Sequence, residues 1–268
     1  MIASTLEGVE GVLLDLDGVL ATSWRPIEGA LETVGWLRKQ AIPFLVLTNT
    51  TTMTRRDLLA RLRDAGLELH ADQVVTAATA TGVYVRAHHP GARCFLITKS
   101  DLREDFEGIE VSDRDADVVV IGGAEEQFSY ENVNRAFQLL MQGATLLAMH
   151  RGLYWKTDAG VMLDAGAYVG ALERAAGISA TLVGKPAGTF FEAGLEVLGI
   201  DAERVVMVGD NVRSDVNGAQ NAGLRGVLVR TGVFRQDDLD RAEREPDAVI
   251  DSVAALPGLL ATGPRGPG

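Results

Sequence analysis

Residues 12–20 read VLLDLDGVL, an apolar run interrupted by Asp15 and Asp17 and closed by Gly18. The run 12–16 predicts a short buried strand, Gly18 a turn, and the amphipathic segment 27–40 a helix. The same order then repeats. Residues 43–47 are continuously apolar and end in a polar cluster, 48–52, before a helical pattern over 55–65 that Gly66 closes. Strand and helix in alternation imply an α/β fold built on a Rossmann-like parallel sheet. Toward the other end, residues 181–183, 205–208 and 226–229 read as strands and the segments after Gly188 and Ser214 as helices, all assigned to that one sheet.

Between these blocks lies a second alternation, with strands expected at 94–97, 118–121 and 146–149 and a hairpin over 153–163 that turns around Thr157, Asp158, Ala159 and Gly160. We therefore expect a core formed by residues 1–78 and 179–268, with 79–178 inserted as a separate α/β domain. The Gly- and Pro-rich tail from Gly263 to Gly268 is expected to be disordered.

A chain of 268 residues with 47% hydrophobic and 23% charged residues is an ordinary globular protein, large enough for a core and an insertion. Its formal charge of −12, without any block of Lys and Arg, argues against nucleic acid as a partner. An anionic substrate would need positive potential gathered locally, from a metal ion, a lysine or helix N-termini. Cys94 is the single cysteine, so neither an intrachain disulfide nor a thiolate metal cluster can form, which fits a reducing cytoplasm. The acidic N-terminus has no basic segment ahead of an apolar one, and neither a leader nor a membrane span is expected.

Chemistry concentrates at the strand ends, where open α/β sheets bind ligands. Asp15 and Asp17 stand two apart at the end of the first strand, and a period of two would place both carboxylates on one side. Such a pair must share a proton or be offset by a cation, for which Mg²⁺ is the natural choice; the alternative is an acidic turn that caps the next helix. Asp210, Asn211, Ser214 and Asp215 follow the apolar run 205–208 in the same position, again as metal-binding acids or as caps. Thr48 and Asn49 end the second strand and offer phosphate donors or a plain helix cap. Lys185, in Gly184-Lys185-Pro186, supplies a cation or is a solvated loop lysine. Gly122-Gly123 lacks the spacing of a nucleotide-binding loop and reads as a tight turn.

DLDGVL at 15–20, LTNTTT at 47–52, GKP at 184–186 and GDNVRSD at 209–215 occur in this order, and through them the chain resembles the haloacid dehalogenase (HAD) superfamily over its whole length. The large insertion between the second and third motifs is similar to that of the subgroup of NagD-like and 4-nitrophenyl phosphatases. Within it, the runs TNTT, FSYENVNRAFQLLMQGA and VGKPAGTFFEAGL look most like the phospholysine phosphohistidine inorganic pyrophosphate phosphatases and their hydrolase relatives.

The resemblance implies a Mg²⁺-dependent phosphatase of small phosphorylated molecules. Asp15 is then the nucleophile that carries an aspartyl phosphate, and Asp17 the general acid and base. Mg²⁺ is held by Asp15, the Asp17 backbone carbonyl and Asp210, with Asp215 and Asn211 behind them, while Thr48, Asn49 and Lys185 bind phosphate. The halide-releasing branch and the ATP-driven pumps do not place an aspartate at the position of Asp17, which favours phosphatase chemistry.

The insertion would act as a cap that selects the leaving group, with His150, Arg151, Tyr154 and Trp155 as candidates. Relatives often carry Asn-Pro-Asp where this chain has His150, Arg151 and Gly152, and Asp in place of Gly123, so the substrate stays open among sugar phosphates, nucleotides, pyridoxal phosphate, pyrophosphate and phosphoamino acids. Caps of this type also suggest a homodimer. The competing readings are a receiver-like phosphoacceptor module and a catalytically silent binding protein.

Overall fold

The computed structural model describes residues 6–157 and 160–261; the expected hairpin residues Asp158 and Ala159 and the tail from Gly263 lie outside the described residues. The chain forms two compact units. The first comprises the described residues up to Thr48, Leu59–Val75 and those from Lys185 onward; the second comprises Asn49–Leu58 and Thr76–Gly184.

The first unit is built on a six-stranded sheet in the order Ala248–Ile250, Arg225–Val229, Val205–Gly209, Gly11–Leu14, Phe44–Thr48, Val74–Thr76. Gly11–Leu14 pairs in parallel with both Val205–Gly209 and Phe44–Thr48, and Arg225–Val229 pairs in parallel with Val205–Gly209 and Ala248–Ile250. All residues of Gly11–Leu14, Phe44–Thr48 and Val205–Gly209 are buried, because helices cover both faces of such a sheet. This is the physical origin of the continuous apolar runs in the sequence. Residues 27–40 yield the helix Ala30–Lys39, whose inward residues Ala30, Thr33, Val34 and Leu37 are spaced by three or four. The pattern over 55–65 becomes the helix Arg55–Asp64.

The second unit has its own parallel sheet, in the order Thr181–Leu182, Thr145–Ala148, Val118–Ile121, Arg93–Ile97, Glu110–Val111. Val119 and Ile121 point into one core with Phe95, Leu139, Leu146 and Val169, while Val118 and Val120 enter another with Val85, Phe106 and Leu147. The period of two thus feeds two cores from one strand. Tyr154–Thr157 and Gly160–Leu163 pair antiparallel as a separate two-stranded ribbon.

Three expectations require correction. The strand expected at 181–183 for the first sheet instead adds Thr181–Leu182 to the edge of the second, alongside Leu147 and Ala148. A two-residue strand is placed by its tertiary partner, and its own sequence carries no sheet address. Asn49–Leu58 belongs to the second unit: Thr51 Oγ1 accepts the Gly123 N–H at 2.7 Å, the Thr52 carbonyl accepts the Ser100 hydroxyl at 2.6 Å, and the Asp105 carboxylate accepts the Arg55 N–H. Gly122 and Gly123 form no tight turn; a side chain on Gly123 would press on Thr51 Oγ1 at 3.2 Å, so bare backbone is what that hydrogen bond needs. No helix among the described residues is long and apolar enough to cross a membrane.

Leu13 is fully buried on the strand Gly11–Leu14, between Leu45 and Met207 of the neighbouring strands. Leu13→Ala is expected to lower stability by roughly 2–5 kcal/mol through lost burial and a residual cavity, read as a fall in the urea midpoint with an unchanged slope.

Candidate active site

Strand pairing stops at Leu14, and the chain turns at once. Asp15 is 7% exposed, its N–H bound to the Val208 carbonyl at 2.9 Å, whereas Asp17 is exposed. The expected alternation therefore does not set both carboxylates on one side of a strand. The Asp15 Oδ1 lies 2.6 Å from Lys185 Nζ and accepts the Leu16 N–H at 2.8 Å.

Lys185 is 4% exposed and its Nζ also meets Asp215 Oδ1 at 2.7 Å. Burial works against a charged ammonium, but Asp15 and Asp215, through charge and hydrogen bonds, outweigh it and hold the Lys185 pKa above its ordinary value. This lysine is a buried counter-ion and not a solvated loop residue.

Asp210 follows the strand Val205–Gly209, is buried, and accepts the Val233 N–H on Oδ2 at 2.8 Å. Asn211 caps the wide π-helical turn Val212–Asn217: its side-chain oxygen accepts the N–H groups of Arg213 and Ser214, each at 3.0 Å. The cap is thus Asn211, not Ser214 or Asp215. That turn directs Asp215 inward, where it is 1% exposed and its Oδ2 accepts the Asn211 N–H at 3.0 Å.

Asp15, Asp210 and Asp215 each bring a carboxylate oxygen within 4.8 Å of the others, all three buried. Burial, then the neighbouring charges, raises Asp15 well above the ordinary carboxylate range, with Lys185 opposing. Burial and the Asp215 charge push Asp210 to about 7, while the Val233 N–H pulls the other way; the Asp17 charge adds to the rise at both. Three carboxylates against one ammonium leave excess negative charge in a buried site, and a cation would relieve it. Oxygen donors alone suit a hard ion. The residues present fit a divalent metal.

Of the other expected residues, Thr48 is buried at the end of Phe44–Thr48 and Asn49 follows it half-buried. In the second unit, His150 is buried, its Nδ1 accepting the Gly152 N–H at 3.3 Å and its Nε2 3.7 Å from Asp164 Oδ1; burial lowers its pKa, with Asp164 opposing. The Arg151 guanidinium is committed to Glu173, at 2.6 and 3.0 Å, and to the Ala180 carbonyl at 3.2 Å. Tyr154 is exposed on the ribbon, and the Trp155 side chain lies outside the described residues. The sequence reading missed the turn 230–233, which supplies the Val233 donor. Its trace was Thr231-Gly232 directly after the apolar run 226–229, the same strand-then-loop grammar as at the other sites.

The profile of the haloacid dehalogenase-like hydrolase family matches residues 12–112, and a HAD-hydrolase-like profile matches 182–256. Phospholysine phosphohistidine inorganic pyrophosphate phosphatase of Mus musculus is 38% identical over 264 residues, covering 96% of each chain. The chain belongs to the haloacid dehalogenase superfamily. Haloacid dehalogenase-like hydrolase domain-containing protein 2 of Bos taurus is 40% identical over 249 residues, covering 93% of this chain and 95% of its own. Among solved structures, the 4-nitrophenylphosphatase of Thermotoga maritima superimposes with a TM-score of 0.89 at 30% identity, covering 96% of this chain and 99% of that one. NagD of E. coli K-12 gives 0.84 at 27% identity, covering 92% and 97%. These similarities set the chain in the NagD and 4-nitrophenylphosphatase subclass of that superfamily.

The Asp210 shift has a definite sign. Its pKa of about 7 in the folded chain lies above the unfolded value of about 3.9, so the folded state binds the proton more tightly. That contribution is fully present below about pH 4 and is lost as pH rises toward 7. In EDTA, stability relative to Asp210→Asn is expected to fall across this window; equilibrium urea unfolding at a series of pH values measures it, and a flat difference would contradict it.

Proposed function

We propose that this protein is a Mg²⁺-dependent phosphatase that hydrolyses a phosphate monoester or anhydride of a small molecule through an aspartyl phosphate on Asp15. The observation that carries the reading is the buried constellation of Asp15, Asp210 and Asp215 around Lys185, at the ends of adjacent parallel strands.

In the first step an Asp15 carboxylate oxygen forms a bond to phosphorus as the bond to the leaving oxygen breaks, and protonated Asp17 gives its proton to that oxygen. In the second, the Asp17 carboxylate takes a proton from water, whose oxygen attacks phosphorus and releases phosphate and the Asp15 carboxylate. The exposure of Asp17 suits this shuttle, because it must trade protons with leaving group and water in turn. Thr48, the Asn49 backbone and Lys185 take the phosphoryl oxygens. Asp15, the Asp17 carbonyl and Asp210 would hold Mg²⁺, with Asp215 and Asn211 bracing them. Bound there, the ion would offset the charge that keeps carboxylate and phosphate apart.

The inserted segment 79–178, which lies within the second unit, is the proposed cap that selects the leaving group, with buried His150 as its strongest polar candidate. Arg151 is the weaker one, since its donors are engaged by Glu173 and Ala180. Phospholysine, phosphohistidine and pyrophosphate, the substrates in the relative's name, are the first to test here. A lone buried cysteine suits a reducing cytoplasm.

With Mg²⁺, hydrolysis of 4-nitrophenyl phosphate and pyrophosphate is the direct assay. Asp15→Asn is expected to lower kcat by at least about three orders of magnitude with the fold intact by circular dichroism, and EDTA to abolish turnover. Substantial activity in folded Asp15→Asn would overturn the mechanism.

We also propose a homodimer. Tyr154, Val161, Met162 and Leu163 are exposed on the two-stranded ribbon and Leu153 just ahead of it, and such a ribbon is marginal in water without a cover. Light scattering coupled to gel filtration is expected to give twice the chain mass, and Val161→Lys with Leu163→Glu the single mass; a monomeric parent chain would contradict this.

A further inference from the structure

We infer that Thr231 and Gly232 are positioning residues for the Asp210 carboxylate, and that the turn 230–233 belongs to the metal-holding apparatus although it offers no ligand. The inference rests on the proposed metal site. Three observations carry it.

First, Asp210 owes its orientation to main chain. Val205–Gly209 and Arg225–Val229 run side by side in parallel, Gly209 opposite Leu228, so the loops that leave them emerge together. The second loop delivers the Val233 N–H to Asp210 Oδ2 at 2.8 Å. An N–H aimed at a carboxylate favours its ionised form, the form that binds a cation.

Second, the space beside that oxygen is reserved. Gly232 has φ +64°, and a Cβ there would fall 1.9 Å from Asp210 Oδ2 and 2.6 Å from the Gly18 Cα. Gly18, with φ +81°, faces it: a Cβ on Gly18 would sit 2.0 Å from the same oxygen and 2.8 Å from the Gly232 Cα. Asp210 Oδ2 is therefore flanked by two bare α-carbons, one from the loop after Gly11–Leu14 and one from the turn 230–233. A side chain on either would displace the carboxylate, and the positive φ values favour glycine independently.

Third, the two loops are tied together. The Thr231 hydroxyl donates to the Gly18 carbonyl, which is the residue directly after Asp17. One turn thus fastens the loop that bears Asp15 and Asp17 to the loop that bears Asp210. Supports of this kind behind a metal ligand typically govern affinity by 10- to 100-fold when removed.

The test is a Mg²⁺ titration of the whole chain read by thermal melting, with no substrate present. Thr231→Val keeps shape and removes the hydroxyl; it is expected to melt near the parent chain in EDTA but to need about tenfold more Mg²⁺ for the half-maximal rise. Thr231→Ser is expected to restore the parent midpoint, which a mere packing role would not predict. Gly232→Ala is expected to lose most of the Mg²⁺ response. A Thr231→Val midpoint equal to the parent's, or Thr231→Ser as impaired as Thr231→Val, would overturn the inference while leaving the metal site standing. If the parent chain itself shows no Mg²⁺-dependent rise, the metal reading fails and takes this inference with it.

Discussion

The buried ammonium of Lys185 faces a group of buried carboxylates, and the rest of the site follows from that imbalance. At an effective dielectric near 20, two unit charges 4 Å apart interact by about 4 kcal/mol, so each contact and each repulsion in the group counts. Asp15 and Asp215 both touch Nζ, at 2.6 and 2.7 Å. Asp210 instead rests on one main-chain donor, and its pKa of about 7 records the unmet charge. The metal-free site can take up a proton, or it can take up a cation. A dianionic phosphoryl group would be strongly repelled without the second, which is why metal and substrate binding belong to one electrostatic problem.

The parallel sheet makes so crowded a site possible. Gly11–Leu14, Val205–Gly209 and Arg225–Val229 are adjacent and run the same way, so their loops leave at one edge and carry Asp15, Asp210 and the turn 230–233 to the same place. Apart from half-buried Arg225 at the start of its strand, their residues are apolar and buried, which fixes the register: no slip by one residue is resisted by a solvent face, but each strand is locked by packing on both. The acidic side chains begin only where pairing ends, at Asp15 and Asp210, so the sheet itself need not bury them.

Most of this was legible in the residues. Apolar runs of four or five residues followed by polar loops mark the central strands, and Asp15, Asp210, Asp215 and Lys185 stand out because charge at the end of a buried strand needs a reason. What escaped reading depends on partners distant in sequence. Thr181–Leu182 takes its sheet from Thr145–Ala148. Asn211, Ser214 and Asp215 are all good caps, and only the geometry assigns the task to Asn211. The Val233 N–H has no side-chain signature at all, and Gly232 alone hints that something approaches it closely. Arg151 was singled out for its charge, yet that charge is spent on Glu173 within the same unit.

The measurement closest to the central claim is mass spectrometry of the chain quenched in acid during steady-state turnover of pyrophosphate with Mg²⁺. The account predicts a phosphoryl group on the peptide that contains Asp15, absent once substrate is exhausted. Continued release of phosphate with no adduct at any point, or an adduct on another residue, would contradict it.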